Sequence, residues 1–183
     1  MISHNRQKPG RRGFTLVETM VAIAILAVAL VGPFVAIRTS LNASYIARDQ
    51  LIASSLAQEG MEYIRSVRDN NYLNNRSGGW MDGLSSYTNC YSATLGTAPS
   101  GYCMVDPSQG DVHTDSPNNS AMQGYASLGA VPVLKLSQTG LYNQQPTSGT
   151  NRDTRYKRTV QMTPLRNDPS TGRAIEVRVV VTV

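Results

Sequence analysis

A lone carboxylate, two cysteines and three spaced aspartates are the side chains whose types and spacing could do chemistry. Glu18 follows Phe14-Thr15-Leu16-Val17 and precedes nineteen uncharged residues, Thr19 to Ile37. An ionisable group in such a run costs about 2.5–3.5 kcal/mol to insert into a bilayer, and usually has a partner. Two explanations stand side by side. Thr15-Leu16-Val17-Glu18 has the spacing of a capping box, in which Glu18 covers a free N–H at a helix start. Alternatively, Glu18 meets a charge from elsewhere.

Cys90 and Cys103 lie in a polar stretch rich in Tyr, Ser and Gly. A metal site needs more ligands, and the two histidines, His4 and His113, stand at no metal-ligand spacing from them. If this part of the chain lies outside the cytoplasm, a disulfide is the natural expectation. Closing that loop would contribute about 3 kcal/mol on the chain-entropy model. Asp106, Asp111 and Asp115, with intervening Gly and Ser, suggest a calcium loop, but the spacing fits no defined one. Solvated turn residues are the preferred reading. No Ser/His/Asp or Cys/His grouping, phosphate loop or carboxylate pair in an apolar context is found, so neither catalysis nor a cofactor or metal is expected.

The elements that must position Glu18 come next. Residues 1–13 hold Arg6, Lys8, Arg11 and Arg12 and no acid, which is four of the net five positive charges. The remaining 13 basic and 12 acidic residues nearly cancel. The basicity thus belongs to the N-terminal run, which argues for membrane orientation and against a general nucleic-acid surface; DNA capture by the head is kept as a minor alternative. Phe14 to Ile37 is 24 residues, or about 36 Å of helix, enough for a hydrocarbon core near 30 Å. The basic cluster should stay cytoplasmic, placing everything after Arg38 on the far side. An ordinary secretory signal shares the basic-then-apolar order, with small residues at Ala27 and Ala29. It normally has a shorter apolar run, and gains nothing from an acid at its start.

Arg11-Arg12-Gly13-Phe14-Thr15-Leu16-Val17-Glu18, followed by an apolar helix, resembles the class III signal of type IV prepilins and type II secretion pseudopilins. The resemblance covers about 25 residues strictly, in the order basic leader, Gly, Phe, Glu, apolar run. It implies cleavage between Gly13 and Phe14 by a membrane-embedded prepilin peptidase, and N-methylation of Phe14. It also implies that Glu18 pairs with the terminal ammonium of a neighbouring subunit. Two charges that are costly alone in apolar surroundings then offset one another only in register. Gly32-Pro33 inside the run predicts a kink, since Pro33 lacks a donor and crowds the turn at Ala29. It is either a tolerated membrane proline or, as the resemblance implies, a stretchable segment.

Beyond Arg38, Ile52, Leu56, Gly60, Ile64 and Val67 form an apolar stripe at helical spacing. Arg48, Asp49, Gln58, Glu59, Glu62, Arg65 and Arg68 read as its solvated face. Ala57-Gln58-Glu59-Gly60-Met61-Glu62 also resembles the stem of minor pilins and pseudopilins. A stop is expected at Asp69-Asn70-Asn71. Residues 70–124 read as a variable, loop-rich region. Val131–Leu136, with Pro132, predicts an edge strand or a strand start. Tyr156, Val160 and Met162 alternate with Lys157, Thr159 and Gln161. Ile175, Val177, Val179, Val181 and Val183 alternate with Glu176, Arg178 and Thr182. Asn167-Asp168-Pro169-Ser170-Thr171-Gly172 supplies the turn of a hairpin, whose apolar face the stem should cover.

The organisation expected is a cleaved leader (1–13), a transmembrane and assembly helix (14–37), an amphipathic stem (38–69), the variable region (70–124) and an antiparallel head (125–183). This is an α+β, pilin-like layout. The implied function is structural: a minor pilin of a type IV pilus, with a type II secretion or competence pseudopilin as the alternative. Its implied partners are the peptidase, other pilins or pseudopilins, an inner-membrane assembly platform and lipid, with a surface ligand or DNA at the head. A reading of a different class is a bitopic membrane protein with a binding head and no filament; it would be indifferent to Glu18.

Overall fold

A computed structural model describes residues 13–109, 121–144 and 151–183. The chain divides into two units, residues 1–49 and 50–183. One helix, α1 (Leu16–Leu73), contributes its first part to the one and its last part to the other.

In the first unit α1 starts where Thr15 Oγ1 accepts a hydrogen bond from the Glu18 N–H at 3.3 Å, satisfying one of the open donors of a helix N-terminus. The polar side chains that follow satisfy themselves on the backbone. Thr19 Oγ1 donates to Leu16 O, Thr39 Oγ1 to Ala36 O and Ser44 Oγ to Ser40 O. Helix continues through Pro33, leaving the Ala29 carbonyl without its usual i+4 donor. The helix is long and apolar enough to cross a membrane. Every described residue of this unit up to Arg48 is exposed.

The second unit opens with the remainder of α1. Leu56, Gly60, Ile64, Val67 and Asn71 are buried, the expected stripe continued by one further turn, while its first member, Ile52, is only half-buried. That turn exists because the Asn71 side chain has a use: Nδ2 donates to Trp80 O and Asp82 O. The helix then closes with Asn75 in the left-handed region, φ 45°. Asn75 N donates to Tyr72 O and Arg76 N to Asn71 O, the paired bonds of a Schellman cap, in which asparagine tolerates positive φ.

Among the described residues seven strands follow: β1 (Tyr102–Val105), β2 (Met122–Tyr125), β3 (Lys135–Leu136), β4 (Tyr142–Asn143), β5 (Arg152–Asp153), β6 (Thr159–Asn167) and β7 (Ala174–Thr182). Their two antiparallel sheets have orders β2-β1-β6-β7 and β4-β3-β5. The expected hairpin is β6–β7. Its turn is held by Asp168, whose Oδ1 accepts from Ser170 N and Ser170 Oγ, and by Gly172 at φ 69°. These two Ser170 bonds, the hydroxyl's foremost, hold the Asp168 carboxyl below its ordinary range.

Three features differ from expectation. Half of the larger sheet, β1 and β2, comes from the region read as loop-rich, where apolar residues are few and interrupted. The apolar run Val131–Leu136 yields only a two-residue strand, which is the middle strand of the small sheet. Val131 and Leu134 are buried outside any strand. Lastly, β6 begins at Thr159 instead of Tyr156.

The core joins Ile64 and Val67 of α1 to Cys103, Val105, Met122, Val160 and Met162 of the sheet, with Met81 and Leu84 from the intervening segment. Each such side chain gains about 1.5–3 kcal/mol by burial. Cys90 and Cys103 form a disulfide with Cα atoms 5.4 Å apart, inside this core.

Candidate functional site

Gly13 and Phe14 precede the first turn of α1 outside any helix or strand, and both are exposed. Phe14 is 81% exposed, and Leu16, Val17, Met20 and Val21 behind it are also exposed. The N-terminal helix therefore presents an apolar surface that the described residues do not cover.

Glu18 lies in this surface, one turn in from Phe14. The Thr15 half of the capping box is formed. The Glu18 carboxylate is exposed and has no hydrogen-bond partner among the described residues. A carboxylate placed on the first turn lies at the positive end of the helix dipole, a position that favours negative charge. Gly32, the other element of the expected kink, has open space where a Cβ would stand.

The second unit shows what sequence reasoning missed. Arg158 is fully buried and ties the stem to the sheet. Its Nη1 donates to Glu59 Oε2 at 2.6 Å and to Leu56 O at 3.1 Å; Nε and Nη2 donate to Val105 O at 3.1 and 2.7 Å. Glu59 is thus not simply part of a solvated face, although its side chain stays 45% exposed. Gly60 makes room for the guanidinium stem: a Cβ there would lie 3.0 Å from Arg158 Cδ. The pairing Glu59-Gly60 was visible in the sequence, but nothing marked Arg158 among the arginines as the one to be buried.

Asp106 is likewise corrected from a solvated turn residue to a fully buried one. Its Oδ1 accepts from Ser108 N and Oγ, and Oδ2 from Gln144 N. Gln144 in turn donates to Arg158 O and Pro132 O, so the network is structural. Asp111 and Asp115 lie outside the described residues, as does His113. Among the described residues no three His, Cys, Asp or Glu side chains gather as a metal site.

The prokaryotic N-terminal methylation motif matches residues 8–32. This is the signature of type IV prepilin and pseudopilin-type proteins, and it spans Gly13, Phe14, Glu18 and Gly32. One long N-terminal helix followed by an antiparallel sheet is a pilin-like α+β layout. No curated protein and no solved structure matches the chain.

Proposed function

We propose that this chain is a minor pilin of a type IV pilus, processed after Gly13 and assembled through its N-terminal helix. The observation that carries the reading is a conjunction. The methylation motif at residues 8–32 coincides with the first part of a helix, up to Arg48, whose apolar side chains are uncovered among the described residues and whose one acid, Glu18, is exposed on the first turn. Before assembly, lipid covers the apolar side chains; afterwards, the helices of neighbouring subunits do. The basic leader holds the N-terminus in the cytoplasm, and the head, with its Cys90–Cys103 disulfide, lies on the oxidising side. Cleavage creates an ammonium at Phe14, and Glu18 of an adjacent subunit is its partner. In apolar surroundings an unpaired charge is costly, so the pair selects the axial register at which a subunit is accepted. Pro33, which leaves one carbonyl of the helix without a donor, marks the point where the helix lengthens under load.

The signal is shared with type II secretion and competence pseudopilins. The Tyr- and Asn-rich region 70–124 of the head favours a pilin with surface-binding potential. Partners on this reading are the prepilin peptidase, other pilins and the inner-membrane assembly platform.

Intact mass and N-terminal sequencing of membrane-extracted protein, with and without the peptidase, test the processing. A chain beginning at N-methylated Phe14 only when the peptidase is present is expected; one beginning at Met1, or beyond Ala29, would overturn the reading. Glu18→Val should be cleaved normally yet enter filaments at least tenfold less than wild type. Normal incorporation would remove Glu18 from the mechanism.

A further inference from the structure

The register of β6 decides which way the backbone of β7 points. Met162 N donates to Cys90 O, Ser92 N donates to Met162 O, and Gly96 N donates to Pro164 O. In an antiparallel ladder both backbone groups of a residue point to the same side. Met162 and Pro164 therefore turn away from β7. Their partners, Val179 and Val177, turn away from β6 in the same way, as does Val181 opposite Val160. Three N–H and three C=O groups thus line the open edge of β7, which ends the sheet, and they have no partner among the described residues. Exposed edges of this kind are usually blunted by charges, Pro or bulges. Here β7 carries Glu176 and Arg178, but the three residues whose backbone faces the open edge are all valine.

Behind this edge is a groove of about 500 Å³ between β7 and the stem. Met61, Arg65 and Arg68 form its stem wall, Ile175 and Val179 its strand wall, and Trp80 is part of its lining. One more strand would lie about 4.8 Å beyond β7, on the side where this groove is lined by stem and β7 side chains together. Val177, Val179 and Val181 are only half-buried against the core. A strand added here would gain backbone bonds from the edge, and every second side chain would enter the groove. Charge narrows the occupant further. Two arginines face one acid, Glu176, among the lining residues. Arg65 holds Glu62 through Nη1 alone and Arg68 holds Asp69 through Nε alone, leaving further guanidinium N–H groups to donate to a carboxylate.

We propose that the open edge of β7 is a strand-addition site for an extended segment of a different filament subunit, apolar at alternate positions and carrying a carboxylate toward Arg65 and Arg68. The assignment to a filament subunit rests on the function proposed above. A second copy is disfavoured by symmetry. A two-fold β7–β7 pair would set the two stems antiparallel, which copies inserted through one membrane in the same sense cannot adopt.

The test uses the full-length processed protein in detergent micelles and the labelled peptide acetyl-Glu-Val-Thr-Val-Thr-Val-Thr-amide, followed by fluorescence anisotropy. Saturable binding is expected, weakened at least tenfold when the valine nitrogens of the peptide are methylated. Val179→Pro should weaken it equally, because the Val179 N–H serves the open edge and not the β6 ladder; an unchanged unfolding midpoint verifies the fold. Arg68→Gln should weaken binding several-fold and flatten its salt dependence. No binding at millimolar peptide, or equal binding of the methylated peptide, would overturn the proposal. So would slow hydrogen exchange at Val177, Val179 and Val181 without peptide, which would show a second copy already on the edge. This assay reads the head alone, so its failure is distinct from a failure of cleavage or of Glu18-dependent assembly.

Discussion

The two parts of α1 share one secondary structure and have opposite relations to their surroundings. Up to Arg48 no described side chain is buried, although most are apolar. From Leu56 onward one stripe is buried and most of the rest is polar. A helix in water is normally stabilised by packing its apolar face on its own chain. The first part lacks that cover among the described residues; on the function proposed above, lipid or neighbouring helices supply it. The second carries its own core. The lesson is that one continuous helical pattern can serve two solvents, and that changes in the two parts should have separable consequences: assembly for one, stability of the head for the other.

The largest effect expected is from Arg158→Met. It strips Val105 O and Leu56 O of buried donors and leaves Glu59 without its cation. About 3 kcal/mol of head stability should be lost, read by denaturant unfolding, with Phe14 processing unchanged. Loss of processing would break the separation of the two parts. Cys90→Ala with Cys103→Ala comes next, at about 3 kcal/mol or somewhat less, checked against the same protein under reductant.

A glycine pair sharpens the comparison at smaller magnitude. Gly60→Ala gains about 1 kcal/mol of helix propensity. It also pushes a methyl to 3.0 Å from Arg158 Cδ and 3.1 Å from Val181 Cγ1, an overpacking that costs about 1–3 kcal/mol. A net loss near 1 kcal/mol in thermal unfolding is expected. Gly32→Ala meets nothing within 4 Å and should leave head unfolding unchanged, so any drop in filament incorporation would locate a neighbouring helix at Gly32. The smallest effect is at Asp168. Its carboxyl is held low by Ser170, so its contribution is complete above the unfolded Asp pKa of about 3.9. It is lost as pH falls through the lower folded value. The unfolding midpoints of wild type and Asp168→Asn should converge over that acid window and differ slightly above it.

Much of this was legible in one dimension because it is local. A basic run, Gly-Phe, an acid and an uncharged stretch are contiguous residues, and the motif they form needs no fold to be read. The stripe Leu56, Gly60, Ile64 and Val67, and the alternation in β7, follow from helix and strand periods. So did the disulfide, once an oxidising location was inferred. Other features depend on where distant segments meet. β1 and β2 are four residues each, too short for a period to show; β1 becomes a strand because β6 offers it an edge, and β2 because β1 does. Arg158 and Glu59 lie 99 residues apart, so the ion pair and the burial of that arginine exist only after the stem lies on the sheet. The same holds for Asp106, which sits among turn-forming residues yet is buried because Gln144 and Ser108 supply its hydrogen bonds. The sequence by itself thus determined the long apolar helix, its acid and its N-terminal methylation motif, through local polarity and spacing. The tertiary structure alone decided which charges were buried, which strands completed the sheet and which edge of β7 stayed open, because each depends on long-range pairing.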